Sequence, residues 1–298
     1  HVLALGLLQG RHVHAGLAGH VAGSVLMSGV IDANIEVHEA LLAAGEYQKS
    51  PHRRPENIAK VARKINEQTY GDKVIKHLDI GCGDGFIFEC YENAKLQFGV
   101  DASSGMLKEA QKKFPNNEFL LASAYGLPFS DCEFDLVTCY SFLDHLENRT
   151  QCYKEVLRVL RPGGKFFFGL SPNSRFISSF ADLKYSNIGN LHSEKVIKLE
   201  KQKALENGNH YLSSFGISAD ALSVCEPGKT VDGGMDPATE CNLLFKLGFA
   251  DIKFEMDWIV GQNKLSKDAI SVLNKALPFS IAAFKYFDLF GTKYKNYG

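Results

Sequence analysis

The sequence predicts an α/β protein: a doubly wound, mostly parallel sheet with helices on both faces and a helical cap insertion. The main observation is an alternation. From residue 54 to residue 171, short apolar runs rich in β-forming residues alternate with segments of helical periodicity. Such alternation is typical of parallel sheets with crossover helices. A composition of 45% hydrophobic and 22% charged residues is ordinary for a globular domain.

Each element of this predicted fold has a local signal. Apolar runs predict strands at 73–80, 95–101, 117–123, 133–141 and 165–171. Apolar residues at helical spacing predict helices at 54–70, 86–94, 104–114 and 149–160. Ser103 or Ser104 is a candidate N-cap of the third helix, and Pro162–Gly164 ends the fourth. In such a sheet, ligands bind beyond the carboxyl ends of the strands.

The chain divides into four predicted regions. Residues 1–30 are interpreted as a leader or tag-like segment, because the first 27 residues hold four of the ten histidines but no acidic residue and no lysine. A targeting segment and a histidine metal cluster are the alternatives. Residues 31–171 form the predicted core, and 172–238 the cap insertion. Residues 239–298 are predicted to complete the core sheet and to end in a helical segment.

The composition indicates which binding partners and which cellular compartment to expect. The net charge of −1 gives no broad field that would attract nucleic acid or anionic lipid. The seven cysteines contain no CxxC pair, which argues against a zinc site or a redox dithiol and favours reduced thiols in the cytoplasm. No uninterrupted apolar run reaches 18 residues, so no stable membrane insertion is expected.

A glycine run marks the predicted ligand site. Gly81, Gly83 and Gly85 follow a strand and precede a helix, where a bare backbone lets a ligand approach free N–H groups. A dinucleotide fingerprint would need a third glycine at the position of Phe86, which favours a smaller, zwitterionic ligand. Asp101, 20 residues after Gly81, is placed to accept hydrogen bonds from both hydroxyls of a ribose. The alternative is a glycine-rich turn with a solvated aspartate.

Four segments in order carry a family resemblance: "LDIGCGDGF", "VDASSGML", "SAYGLPFSDCEFDLV" and "LRVLRPGGKFFF". Over about residues 55–172, the chain resembles a class I S-adenosylmethionine-dependent methyltransferase of the small-molecule, ubiquinone/menaquinone-biosynthesis type. Residues 239–258 resemble the helix and strand that follow in that family. The resemblance implies a Rossmann-like sheet and S-adenosylmethionine as the cofactor, with no metal.

The resemblance also implies cofactor-binding residues. The matching positions are Asp79, Gly81, Gly83, Asp101, Ala102, Met106, Ser123, Ala124 and Tyr140. In the family, the positions of Asp79, Gly81 and Gly83 hold the methionine half of the cofactor, and that of Asp101 binds the ribose.

The remaining matched positions are expected to contact the adenine and the sulfonium of the cofactor. Ala102 and Met106 are expected to pack against adenine. The pair Ser123–Ala124 stands where the family usually has an acidic residue followed by a small one, so Ser123 is a departure that leaves a shorter, uncharged hydrogen-bonding group. Tyr140 is expected to face the sulfonium, or else to be an ordinary aromatic residue at a strand end.

Methyl transfer from a sulfonium needs few catalytic groups. A base helps when the acceptor arrives protonated. His145, after the fourth strand, is the candidate, because histidine titrates near neutrality, and a histidine without a catalytic role is the alternative. Tyr211, with His210, is a weaker candidate for the same role.

Two aromatic regions are candidates for covering the site. The insertion carries Phe176, Phe180, Tyr185, Tyr211 and Phe215, which predicts a lid, with a surface excursion as the alternative. Within it, residues 194–208 are interpreted as a solvated helix face. The aromatic C-terminal stretch, which includes Phe279, Phe284, Phe287 and Phe290, is expected to pack in the core; lining the pocket or touching a membrane are the alternatives.

The sequence therefore predicts methyl transfer from S-adenosylmethionine to an O, N or C atom of a small, hydrophobic or aromatic metabolite. The partners expected are this small-molecule acceptor and no nucleic acid. A non-catalytic methyltransferase-like binding protein and a nicotinamide-dependent oxidoreductase are the rival functions, and Phe86 argues against the second. The identity of the acceptor, the methylated atom and the oligomeric state are left open.

Overall fold

The computed structural model describes residues 21–180, 211–259 and 284–294. Its centre is a seven-stranded sheet with the strand order β3-β2-β1-β4-β5-β7-β6. The strands are β1 (Lys76–Ile80), β2 (Leu96–Asp101), β3 (Glu118–Leu121), β4 (Phe134–Tyr140), β5 (Leu160–Pro172), β6 (Phe249–Ile259) and β7 (Phe284–Lys293). Strands β1 to β5 pair in parallel, and β7 runs antiparallel to both of its neighbours. The predicted mostly parallel α/β sheet is confirmed.

Helices pack on both faces of this sheet. They are α1 (Val21–Ala43), α2 (Pro55–Gln68), α3 (Phe86–Cys90), α4 (Ser104–Lys113), α5 (Arg149–Val159), α6 (Ser174–Phe180), α7 (Ala219–Cys225), α8 (Pro227–Thr230) and α9 (Pro237–Leu247). Consecutive residues of β5 show the two faces. The ring of Phe167 packs with α2 and α3, whereas the ring of Phe168 stacks on Tyr153 of α5 with 5.5 Å between centroids. Within the described part of the chain, no helix combines the length and apolar character that crossing a membrane requires.

Side-chain caps fix where several helices begin. Ser103 is the N-cap of α4, and its hydroxyl accepts a hydrogen bond from the Met106 N–H at 3.1 Å. Asn148 and Asp236 cap α5 and α9 in the same way. Such caps satisfy N–H groups that lack a partner in the first helical turn. The predicted cap of α4 is therefore Ser103 and not Ser104.

The C-terminal helical segment predicted within 239–298 is wrong for residues 284–293, which form β7 between β5 and β6. Six consecutive residues, 286–291, are buried because this strand is covered on both faces. A strand of this kind lacks the alternation of a half-exposed strand, so its pattern resembles that of a buried helix. The aromatic residues Phe287 and Phe290 do pack in the core, whereas Phe279 lies outside the described residues.

The predicted leader and the predicted insertion both contain residues that form helices in the structure. The leader boundary predicted at residue 30 falls inside α1, and Val30 is buried there, while residues 1–20 lie outside the description. The described insertion contains α6, a helical turn at 211–215, α7 and α8. Tyr185, the segment 194–208 and the side chain of Phe180 lie outside the described residues, and a cap function stays a prediction.

A buried ion cluster ties α2 to the last two strands. Lys64 of α2 donates hydrogen bonds to Asp288 of β7 and, at 3.3 Å, to Asp257 of β6. The N–H of Leu170 donates to the other oxygen of Asp288 at 2.8 Å. Burial raises the pKa of Asp288 to about 6, although Lys64 opposes this shift. Removing one partner of a buried ion pair costs roughly 3–5 kcal/mol.

We therefore expect Lys64→Met to lower the free energy of unfolding by about 3 kcal/mol at pH 8. The loss should be smaller at pH 5.5. The pKa of Asp288 is higher in the folded protein than in the unfolded chain, so Asp288 takes up a proton on folding at this pH. Protonation removes the negative charge that Lys64→Met leaves without a partner. Urea unfolding at the two pH values measures this. The control is Arg63→Met, which removes an exposed ion pair with Glu67 on the same helix and should cost less than about 0.5 kcal/mol. Equal losses for both variants would contradict the role of Lys64.

Candidate functional site

A cavity of about 170 Å³ lies at the carboxyl edge of the sheet. The loops after β1, β2, β3 and β4 form its floor, and α1 forms part of its wall. This edge is where the sequence predicts ligand binding, because parallel strands end there together and free N–H groups of the following helices point outward.

The glycine run turns sharply at the start of this cavity. Gly81, Gly83 and Gly85 have φ values of +65°, +53° and +94°, a region that L side chains rarely adopt. A Cβ on Gly81 would lie 2.1 Å from the Phe142 ring, so this glycine allows a close side-chain approach. A Cβ on Gly83 would meet nothing within 4 Å, so this glycine faces open space in the cavity wall.

Asp101 ends β2 and joins two loops of the site. Its Oδ2 accepts a hydrogen bond from the Gly83 N–H and its Oδ1 accepts one from the Ser103 N–H, both at 2.9 Å. Burial raises the pKa of Asp101, and the two backbone hydrogen bonds act in the opposite direction. The carboxyl lines the cavity, and each oxygen has a further lone pair for a ligand hydroxyl.

Asp79 lies near the end of β1 and does not line the cavity within the described residues. Its Oδ1 accepts a hydrogen bond at 2.7 Å from the hydroxyl of Thr138, which lies 2.8 Å from His77 Nε2. Burial raises the pKa of Asp79 to about 8, although the hydrogen bond from Thr138 acts to lower it. A direct contact between Asp79 and a ligand therefore stays a prediction.

The raised pKa of Asp79 predicts a pH-dependent stability. Because the folded protein keeps the Asp79 proton up to about pH 8 and the unfolded chain loses it near pH 4, stability should fall as the pH rises between these values. We expect Asp79→Asn to reduce this slope by up to about 1.4 kcal/mol per pH unit. Urea unfolding of both proteins from pH 5 to pH 8 measures the slope, and parallel curves would contradict the assignment.

The predicted adenine side is apolar. Ala102, Met106 and Ala124 line the cavity, and Met106 is buried. Ser123 lines it too, where its Oγ accepts a hydrogen bond from the Tyr125 N–H at 3.2 Å. The hydroxyl proton of Ser123 is not used in that bond, so it can still be donated to a ligand.

Aromatic residues also line the cavity. Tyr140, at the end of β4, lies with its ring centroid 4.8 Å from that of Phe86 and 5.7 Å from that of His52. His145, in a short 3-10 turn after β4, lines the cavity too. Its Nδ1 donates a hydrogen bond to the Cys225 carbonyl at 2.9 Å. The cavity thus brings His145 and Tyr140 together with the glycine loop.

Tyr211 is not among the described residues that line the cavity. It is buried and packs with Val37 and Leu41 of α1 and with Phe215, whose ring centroid is 5.5 Å away. The same cluster contains Cys225, whose carbonyl accepts the hydrogen bond from His145, and the catalytic role of Tyr211 stays a prediction. Phe215, also expected in the lid, belongs to the same cluster.

Sequence reasoning missed the contribution of α1. Ile31, Ile35 and His38 line the cavity at helical spacing, a pattern visible in the sequence as an apolar face. Glu39 attaches this helix to the start of α4, since its Oε1 accepts hydrogen bonds from the Ser103 hydroxyl at 2.7 Å and the Gly105 N–H at 3.2 Å. No local motif predicts this attachment.

Charge in the cavity is balanced by ion pairs. Of the lining residues in the described part of the chain, only Arg53 is a lysine or arginine. Its guanidinium pairs with Asp84 and Glu89. The cavity therefore offers no unpaired arginine or lysine from these residues for a phosphate or carboxylate.

Comparison with known proteins shows what the middle of the chain resembles. The methyltransferase domain family matches residues 78–168, which contain the glycine loop, Asp101, Tyr140 and His145. Over these residues, the chain is similar to a methyltransferase domain. The glycine run lies at the start of this match, and its role in binding the cofactor stays a prediction.

Two curated methyltransferases are similar to part of this chain. The chain is 32% identical over 130 residues to a ubiquinone/menaquinone biosynthesis C-methyltransferase of Campylobacter jejuni, covering 40% of this chain and 55% of that protein. It is 38% identical over 106 residues to a demethylmenaquinone methyltransferase of Chlorobaculum tepidum, covering 35% and 43%. The chain thus spans about half the length of the curated relatives it matches.

A solved structure is similar in fold to this chain. One chain in the complex between the Haloferax volcanii Trm112 methyltransferase activator and a methyltransferase superposes with a TM-score of 0.51 at 14% identity. The match covers 86% of this chain and 97% of that chain. The Rossmann-like sheet of the sequence prediction is confirmed by this similarity.

Proposed function

We propose that this chain transfers a methyl group from S-adenosylmethionine to a small, hydrophobic or aromatic acceptor. The observation that carries this proposal is one cavity lined by two chemically different groups of residues. The first group is the glycine loop and Asp101, and the second group is Tyr140, His52 and His145. A methyl donor bound by the first group then meets its acceptor at the second group within a single cavity.

The first group of lining residues, the glycine loop and Asp101, is proposed to bind the cofactor. Because a Cβ on Gly83 would meet no atom within 4 Å, the methionine half can approach the backbone at this residue. The positive φ of Gly81 allows the tight turn before it. Asp101 accepts hydrogen bonds from the two ribose hydroxyls. Ala102, Met106 and Ala124 pack on the adenine, and the Ser123 hydroxyl donates a hydrogen bond to it. Asp79 is proposed to help hold the methionine half as well.

The second group of lining residues is proposed to bind the acceptor. Phe86 and Tyr140 supply aromatic surface beside the methyl group, which suits a flat apolar ring. Since Arg53 is already paired with Asp84 and Glu89, an acceptor with a phosphate group would lose its hydration without gaining a free cation. The quinone-methylating relatives support a reduced quinone as the first acceptor to try.

His145 is proposed as the general base. It lines the cavity, and its Nδ1–H is held by the Cys225 carbonyl, which orients the ring. Tyr211 is proposed as a weaker, second candidate for a catalytic residue. Because it packs on α1, it would reach the acceptor only after a rearrangement of the cap.

The compartment and the partners are part of the same proposal. All seven cysteines are free thiols, which supports action in the reducing cytoplasm. A small-molecule acceptor, and not nucleic acid, is the proposed partner, because the chain has a net charge of −1.

The test combines binding and turnover. Calorimetry with S-adenosylhomocysteine and, separately, NADH should show binding of the first alone. Purified protein with S-adenosylmethionine and demethylmenaquinone reduced by dithionite should then give a product heavier by one methylene unit in mass spectrometry. Binding without product for this and a panel of other small aromatic acceptors would indicate a non-catalytic binding protein. Binding of NADH in place of S-adenosylhomocysteine would overturn the proposal.

A further inference from the structure

Two histidines face each other in the wall of the cavity. His38 comes from α1, and His145 comes from the turn after β4. Their ring centroids are 4.9 Å apart, and the ring planes meet at 71°. Both residues line the cavity, so a small group of a bound acceptor can contact both rings.

The tautomer of His145 follows from its hydrogen bond. The Cys225 carbonyl oxygen, 2.9 Å from Nδ1, can only accept, so Nδ1 carries the proton. In the neutral imidazole, Nε2 is then unprotonated and acts as an acceptor. Within the described ranges, no residue donates a hydrogen bond to this Nε2.

His38 has the complementary arrangement. Its Nδ1 is hydrogen-bonded to the Tyr47 hydroxyl. A phenol is the stronger donor and an imidazole nitrogen the stronger acceptor of these two groups, so Tyr47 donates and His38 Nδ1 accepts. The proton of the neutral His38 ring is therefore on Nε2. Burial raises the pKa of Tyr47, which keeps its hydroxyl protonated.

The charges around the pair favour a neutral His38. Burial lowers the pKa of His38 to about 3, with a further contribution from His145. Asp144 and Lys229 lie beside the pair and are ion-paired at 2.5 Å, so their charges largely offset each other. The other titratable groups that act on this cluster are Asp101, Tyr47, Cys225 and Glu226.

We propose that His38 and His145 together bind a hydroxyl group of the methyl acceptor, and that His145 takes its proton. A hydroxyl can accept a hydrogen bond from His38 Nε2–H and donate one to His145 Nε2 at the same time. This proposal rests on the proposed methyltransferase function and assigns to it an acceptor with an O–H group. It also makes α1 part of the catalytic site.

The reaction step balances with these groups alone. The O–H bond breaks, its proton moves to His145 Nε2, and its electron pair stays on the acceptor. The acceptor anion, through its oxygen or a carbon conjugated with it, forms a bond to the methyl carbon. The bond between this carbon and the cofactor sulfur breaks, and its electron pair neutralises the sulfonium to a thioether. The imidazolium of His145 later releases its proton to water.

A metal ion is the competing occupant of this cluster. Ligand atoms of His38, His145 and Cys225 lie within 4.8 Å of one another. Burial raises the pKa of the Cys225 thiol, which disfavours the thiolate that a metal needs. The Lys229 ammonium adds a positive charge nearby. These features favour proton transfer over metal binding.

Nitrogen-15 NMR of the full chain with S-adenosylhomocysteine tests the pair without any acceptor. We expect a protonated Nδ1 in His145 and a protonated Nε2 in His38, with the signals assigned from His38→Gln and His145→Gln. The opposite tautomer at either residue overturns the proposal. Because this arm needs no turnover, a failure of the proposed function, seen as absent cofactor binding, is distinguishable from a failure of the pair.

A pair of probes tests the hydroxyl itself. In the S-adenosylhomocysteine complex, 1-naphthol should bind at least about tenfold more tightly than 1-methoxynaphthalene, which has no O–H to donate. The preference should vanish in His38→Leu and in His145→Leu, with the glutamine variants replacing any leucine variant that does not fold. Added EDTA should leave it intact. Equal or absent binding of the two probes, or loss of the preference with EDTA, overturns the proposal.

Discussion

Asp101→Ala is expected to weaken S-adenosylhomocysteine binding by at least roughly tenfold. Each hydrogen bond to a charged carboxylate contributes about 1.5–3 kcal/mol, and two ribose hydroxyls would lose their acceptor. The variant also removes the acceptor of the Gly83 and Ser103 N–H groups, which loosens two loops of the site. Calorimetry of the purified variant measures the affinity.

The matched control is Glu118→Ala, which removes an equal charge from an exposed position at the start of β3. It should change neither the affinity nor the melting temperature by a measurable amount, because surface substitutions of this kind are within about 0.5 kcal/mol. If Asp101→Ala folds and binds S-adenosylhomocysteine with unchanged affinity, the ribose assignment is wrong.

Gly81→Ala and Gly83→Ala are expected to fail in different ways. Both positions have positive φ, so both variants carry a backbone strain of about 1–2 kcal/mol. Only the Gly81 variant also places a Cβ 2.1 Å from the Phe142 ring, which adds about 1–3 kcal/mol of overpacking. The Gly83 variant should keep most of its stability and lose cofactor affinity, since its new methyl group enters open space in the cavity wall.

Urea unfolding and calorimetry on the same samples separate the two effects. The Gly81 variant should unfold at clearly lower urea than the Gly83 variant, because the shared strain cancels in the comparison. A Gly83 variant with full affinity for S-adenosylhomocysteine would show that the ligand does not approach the loop at this residue. Equal stability of the two variants would contradict the tight contact with Phe142.

Local signals made much of this site predictable. The glycine run, the strand before it and Asp101 all lie within about 30 residues, and each has a conformational or chemical requirement that few residue types meet. The order of strands and helices from residue 54 to residue 171 follows from periodicity alone. The cap of α4 required the geometry, since Ser103 and Ser104 are chemically identical and only one accepts the Met106 N–H.

The parts that sequence reasoning missed depend on distant contacts. His38 and Glu39 enter the site because α1 packs across loops that lie more than 60 residues away in the chain. The environment of Tyr211 is likewise set by α1 and not by its own segment. For β7, burial on both faces removed the alternation that distinguishes a strand from a helix.

The place of β7 in the sheet has a consequence for synthesis on the ribosome. Strand β6 has β7 as its pairing partner, and β7 comes later in the chain. A nascent chain that has emerged only as far as residue 259 therefore exposes one edge of β5 and holds β6 unpaired. Open strand edges of this kind invite pairing with other chains. The half of the sheet that carries the glycine loop can form during translation, while the other half must wait for the final strand.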